Sequence, residues 1–152
     1  MADRGGRRSG AMCVNPGFEL FDHTADIGVR VRADSLPGLI RPATEGLYAV
    51  IGELLPAGAG RAERFALTGA DPALLLHDYL AELLLLFYRE RRMLTAVNAE
   101  QFADGRLVVS GVAREVSAAD STLVREAKAV TYHELEIRPV AGGYEATFIV
   151  DI

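Results

Sequence analysis

The sequence predicts an α+β fold in two layers: two main helices packed on a mixed, largely antiparallel sheet of about six or seven strands. Two stretches repeat apolar residues at spacings of three and four, near residues 36–54 and 72–91, as amphipathic helices do. Seven shorter stretches are strand-like, by period-two alternation or an apolar run. The last four of these form a meander with Asp104-Gly105 and Gly142-Gly143 as hairpin signals. The chain of 152 residues, half of them apolar, is long enough for one compact domain with a real core. The expected organisation is a flexible tail over 1–16 and one domain over 17–152.

Taken in order, Phe18 to Phe21 can pair as a short strand, and Ile27 to Val31 alternates Ile27, Val29 and Val31 against Gly28 and Arg30. Ser35 suits the N-cap of the first helix, which Pro42 should kink by removing a backbone donor. Pro56 to Ala62 (PAGAGRA) reads as a loop by its Gly and Pro content, with a strand from Arg64 to Thr68. Asp71 followed by Pro72 opens the second helix, an acidic cap before a first-turn proline. Its leucines occupy more than one face to about Arg91, so most of its circumference should be covered, with His77 and Asp78 on the outer edge. The remaining strands are Met93 to Val97, Arg106 to Val112, Ala127 to Ile137 and Tyr144 to Val150.

A formal charge of -5 and a pI near 5.2 argue against a general nucleic-acid binder, whose footprint is a basic stripe. The longest apolar run, Leu83 to Phe87, falls well short of the ~20 residues of a membrane span. One cysteine, Cys13, excludes an internal disulfide framework, and the Arg-bearing N-terminus has no apolar segment of a secretory signal. A soluble protein of the reducing cytoplasm is expected. Of 16 basic residues fifteen are Arg, and Lys128 alone is Lys. This is either compositional bias or a position that needs a compact, mobile ammonium rather than a planar fork.

Three constellations could carry chemistry. The corner Asp22-His23-Thr24-Ala25-Asp26 gathers two carboxylates and an imidazole directly before a strand, although aspartates there also serve as plain turn formers. At the C-terminus, the apolar strand ending Asp151-Ile152 brings the Asp151 side chain near the α-carboxylate of Ile152, an oxygen pair that hard cations favour; a frayed, solvated end is the alternative. In Lys128 to His133 the alternation puts Lys128, Val130 and Tyr132 on one face and His133 on the other, a half-buried histidine satisfied by a neighbour. There is no phosphate-cradling glycine loop before a lysine, no G-x-S-x-G, no H-E-x-x-H and no EF-hand loop.

Four blocks, FELFDHTADIGVRV (18–31), LLHDYLAELL (75–84), KAVTYHELEI (128–137) and the closing FIVDI, together resemble the archease family from Phe18 to Ile152. The resemblance implies a cytoplasmic, non-catalytic partner of RtcB-type RNA ligases, promoting their guanylylation and multiple turnover in tRNA splicing and RNA repair. It implies a divalent-metal site, usually of Ca²⁺ with Mg²⁺ or Mn²⁺ as substitutes, on Asp26, Asp151 and the terminal carboxylate of Ile152. Lys128 falls on the family's functional lysine, and His23 and Thr24 would orient the loop around the metal. RNA and GTP would be met only through the ligase, with no membrane contact. Two other readings use the same residues or the same surface: a metal-dependent phosphoester hydrolase, and an RNA-binding or chaperone module. Pro37, Gly38 and Pro42 depart from a good first helix.

Overall fold

A computed structural model describes residues 16–23 and 25–152. The period-two stretches pair first with their chain neighbours. β1 (Gly17–His23) and β2 (Asp26–Ala33) run antiparallel, in a register that closes on His23 opposite Asp26. A single turn of 3-10 helix (Pro37–Leu39) leads into α1 (Ile40–Ile51), followed by β3 (Gly52–Glu53), β4 (Pro56–Thr68) and α2 (Pro72–Glu90). The second half is all strand: β5 (Arg92–Ala103), β6 (Arg106–Val116), β7 (Thr122–Leu123), β8 (Ala129–Val130), β9 (Glu136–Val140) and β10 (Gly143–Asp151).

The α+β class holds, with ten strands among the described residues instead of six or seven. They form three antiparallel sheets: β1-β2-β10-β8 with β9 also on β10, β4-β6-β5, and the two-residue pair β3-β7. Each helix touches strands of both large sheets, so one core serves them all. β2 sends Ile27, Val29, Val31 and Ala33 into it, and β10 sends Ala146, Phe148 and Val150. The alternate residues, among them Arg30, Arg32 and Glu145, face outward. There Glu145 is held at 2.6 Å by Arg138 and at 2.8 Å by Arg32.

The second helix forms as its signals imply. Asp71 accepts a bond from the Ala73 amide at 2.9 Å, Pro72 opens the first turn, and Arg91 closes the helix in the left-handed region. Leu75, Leu76, Tyr79, Leu80, Leu83 and Phe87 are buried, each such side chain worth about 1.5–3 kcal/mol of transfer free energy. Leu74 stays outside at 45 % exposure. Ser35, expected as the N-cap of the first helix, lies ahead of the 3-10 turn instead: its Oγ accepts from the Gly38 amide at 3.0 Å, and α1 itself has Leu39 at its N-cap, without a side-chain cap. Pro42, expected as a kink, falls in the first turn of α1, where a missing amide costs least. The helix stops at Gly52, short of Leu54.

PAGAGRA is not a loop but the start of β4. Its pairing with β6 is irregular between Ala57 and Arg61, and Gly58 and Gly60 take positive φ there. A side chain at Gly60 would lie 2.4 Å from the Ala113 carbonyl, so the glycine permits the bulge's close approach. Pro56 stands at the first position of an edge strand, where no ladder donor is needed.

The stretch Ala127 to Ile137, expected as one strand, is broken. Ala129 and Val130 pair with β10; the Thr131 hydroxyl then accepts from the His133 amide at 3.2 Å, and Glu134 takes φ +53° before β9 resumes the pairing with β10 at Glu136. A Ser/Thr turn of this kind competes directly with strand continuation.

Candidate metal centre

The site stands at one end of the five-stranded sheet and is assembled by register. β10 runs between β2 and β8, and its penultimate residue Asp151 is directly opposite Asp26 on one side and Ala129 on the other. The Lys128 amide donates to the Asp151 carbonyl at 2.7 Å. Directly opposed residues in an antiparallel ladder project to the same face. Since Ile27 and Val150 point into the core, Asp26 and Asp151 point away from it.

Asp26, Asp151, Ile152 and Lys128, drawn from three separate stretches of sequence, thus share one corner. Ile152 packs against the hydrophobic core and is not frayed. His23 joins them: its Nδ1 is 3.8 Å from Asp26 Oδ2. Thr24 lies outside the described residues, as do residues 1–15, which include Cys13 and nearly all of the expected tail.

The donor set suits a hard divalent cation. Two carboxylates side by side on adjacent strands repel each other unless a cation sits between them or nearby. The neighbouring His23 Nδ1 is buried, yet among the described residues it has no hydrogen-bond partner, and 3.8 Å is too long for a direct bond to Asp26. Asp26 and Asp151 could therefore hold Ca²⁺ or a similar ion with oxygen ligands, with Ile152 beside them. Lys128, an exposed residue, adjoins them through its backbone amide on the Asp151 carbonyl.

Two histidines behave differently from expectation. His133 is exposed, because it sits in the turn after β8; its Nε2 lies 3.3 Å from Glu134 Oε2. His77 is buried, not on the outer edge. Its Nε2–H donates to the Val130 carbonyl at 2.8 Å, tying α2 to β8, and its ring stacks on exposed Tyr132 with centroids 4.1 Å apart. Of the residues expected on one face, Val130 is buried in the core and Tyr132 stacks on His77 of α2, whereas Lys128 is exposed.

Comparison with known proteins bears on the same residues. A model of the Archease protein family (MTH1598/TM1083) matches residues 18–152, from the first strand through the terminal Asp151-Ile152. The chain belongs to the archease family. Among its relatives, the archease of Methanothermobacter thermautotrophicus is 31% identical over 139 residues, covering 90% of this chain and 99% of that one. The archease of Methanosarcina acetivorans is 30% identical over 139 residues, covering 89% and 95%. The archease fold is likewise matched by the solution structure of Methanobacterium thermoautotrophicum protein 1598, at TM-score 0.69 and 29% identity, covering 90% of this chain and 99% of that one. A crystal structure of an archease from Thermotoga maritima, described as a possible chaperone, has TM-score 0.63 at 17% identity, covering 88% and 96%, a likeness of fold.

Glu134 was not visible as a site residue in the sequence. Read as a strand, KAVTYHELEI points Glu134 away from His133; only the turn brings their side chains together beside His23. The Tyr132-His133-Glu134 run within KAVTYHELEI was the available signal.

Proposed function

We propose that this archease-family protein is an accessory factor of an RtcB-type RNA ligase, promoting that enzyme's guanylylation and multiple turnover in tRNA splicing and RNA repair. It does not join RNA itself. The observation that carries the reading is the register placing Asp151 opposite Asp26 with the Lys128 amide on the Asp151 carbonyl. It makes one acidic corner from the three sequence blocks that the family likeness singles out.

Asp26, Asp151 and the main-chain carboxylate of Ile152 would hold the divalent cation, Ca²⁺ by the hardness of its donors. Bound there, the ion supplies a positive centre for phosphate or carboxylate oxygens. The chain's own residues do the rest. Asp26 and Asp151 are fixed by paired backbone, so they need little reorganisation to hold an ion. His23, whose Nδ1 faces Asp26 at 3.8 Å, would orient the loop around the ion. Lys128 offers an exposed ammonium to an anion on the ligase or on its nucleotide. RNA and GTP are reached through the ligase, in keeping with a net charge of -5 on this protein.

The test is a guanylylation and multiple-turnover assay of the cognate ligase with and without the protein. Wild-type protein should stimulate both, whereas Asp26→Ala, Asp151→Ala and Lys128→Ala, each folded by circular dichroism, should not. Full stimulation by a folded Asp26→Ala or Asp151→Ala variant would sink the role of the acidic corner.

A further inference from the structure

Beside the two aspartates stands a second group of ligating side chains that the oxygen site does not use. His23 Nε2 and His133 Nε2 lie 3.1 and 3.3 Å from one atom, Glu134 Oε2, and one ligand atom from each of the three residues falls within 4.8 Å of the others. The three come from two turns far apart in sequence, His23 from the end of β1 and His133-Glu134 from the turn between β8 and β9. The imidazole centroids are 5.3 Å apart with planes at 60°, so the rings do not stack; their Nε2 edges converge.

The spacing matches a metal better than a chance contact. In a tetrahedral zinc site with Zn–N and Zn–O bonds of about 2.0–2.1 Å, neighbouring ligand atoms are separated by about 3.3 Å. Two of the three edges already have that length. The third closes by rotation of the His133 side chain, which is 64% exposed and free to turn.

Hydrogen bonding alone leaves a defect that metal binding repairs. If both imidazoles donate Nε2–H to Glu134, the buried His23 Nδ1 is a lone pair without a partner among the described residues, facing the Asp26 carboxylate at 3.8 Å. A metal on Nε2 moves the proton to Nδ1, where it points toward Asp26. Metal-bound histidines usually have such a carboxylate behind them, fixing tautomer and orientation.

We propose that His23, His133 and Glu134 form a second metal site, for a first-row divalent cation that favours imidazole, with Zn²⁺ the foremost candidate. It adjoins the oxygen site through Asp26, and it does not depend on the ligase reading. Imidazole nitrogen discriminates between the two sites, since Ca²⁺ takes oxygen ligands whereas Zn²⁺ accepts mixed nitrogen and oxygen. Three protein ligands leave a fourth position for water or for a donor brought by another molecule.

The experiment titrates Co²⁺, a coloured stand-in for zinc, into the untagged full-length chain in saturating Ca²⁺. A Cys13→Ser background keeps the tail thiol from contributing. Visible absorption of four-coordinate Co²⁺ should grow to one equivalent and vanish when Zn²⁺ is added. His133→Ala and Glu134→Gln, both at exposed positions, should each weaken Co²⁺ binding about ten-fold or more while leaving Ca²⁺ binding unchanged. Asp151→Asn should do the reverse. Absence of the visible band, full Co²⁺ affinity in His133→Ala, or joint loss of both metals in Asp151→Asn would overturn the second site.

Discussion

Placing Asp26 directly across from Asp151 has an energetic consequence that separates stability from metal binding. Opposed residues in an antiparallel ladder have Cβ atoms about 4.5–5.5 Å apart, which puts two carboxylates on the same face at about 5 Å. The repulsion between unit charges at that distance is about 0.8 kcal/mol in a water-like medium and about 3 kcal/mol at an effective dielectric near 20. The Asp26 side chain is 25% exposed, so solvent screens the pair and a net penalty of about 1 kcal/mol is expected. Asp151→Asn removes the repulsion and keeps the shape. In a chain of this size 1 kcal/mol moves Tm by about 2–4 °C. In EDTA, Asp151→Asn should therefore melt about 2–4 °C above the wild type. Calcium at a hundred times its Kd stabilises a binding protein by about 2.7 kcal/mol, and the variant, having lost a ligand, should gain little. The order of melting should thus invert when Ca²⁺ replaces EDTA, a crossover readable by scanning calorimetry. If Asp151→Asn melts below the wild type in EDTA and both proteins gain equally from Ca²⁺, the aspartates are neither paired nor a metal site.

Three further outcomes can be checked in the same preparations. His77→Ala removes the donor to the Val130 carbonyl and should cost about 1–3 kcal/mol by urea unfolding, because the buried acceptor is left bare; His77→Gln should recover part of it. Burial pushes the Tyr48 phenol up to about 12, with its bond from the Leu94 amide opposing, and Tyr79 is also raised by burial. A raised folded value means that stability is intact below pH 10, where the unfolded phenol is still neutral, and declines as pH climbs from about 10 toward 12; Tyr48 alone accounts for about 3 kcal/mol, seen by denaturant unfolding across that range. Extending the chain beyond Ile152, with no residue changed, replaces the α-carboxylate by an amide and should weaken Ca²⁺ affinity by calorimetry; an unaffected extension would remove Ile152 from the site.

Where local chemistry governs, the sequence was legible. Asp71-Pro72 marks a helix start because cap and proline act within one turn, and Asp104-Gly105 marks a hairpin because both residues take positive φ there. Legibility fails where a side chain competes with a ladder. Lys128 to Leu135 alternates as a strand should, yet the Thr131 hydroxyl captures the His133 amide and the pairing stops after Val130. β4 fails the other way, since a bulge and an edge position absorb the Pro and Gly that normally end strands.

The acidic corner depends on long-range pairing, which no window of sequence contains, but the constraint behind it is simple. Side chains in a strand alternate with period two, and a slip of one residue exchanges the faces. Val29 and Val31 of β2 must meet the same core as Ala146, Phe148 and Val150 of β10. Once these are buried, parity alone sends Asp26 and Asp151 to the opposite face, on the side where Arg32 and Glu145 pair further along. The His23-Asp26 closing pair then carries the imidazole to the same face, within reach of the turn that holds His133 and Glu134. The apolar residues of two strands therefore position the polar ones, and a substitution that shifts the β2–β10 register would scatter the ligands without altering any of them.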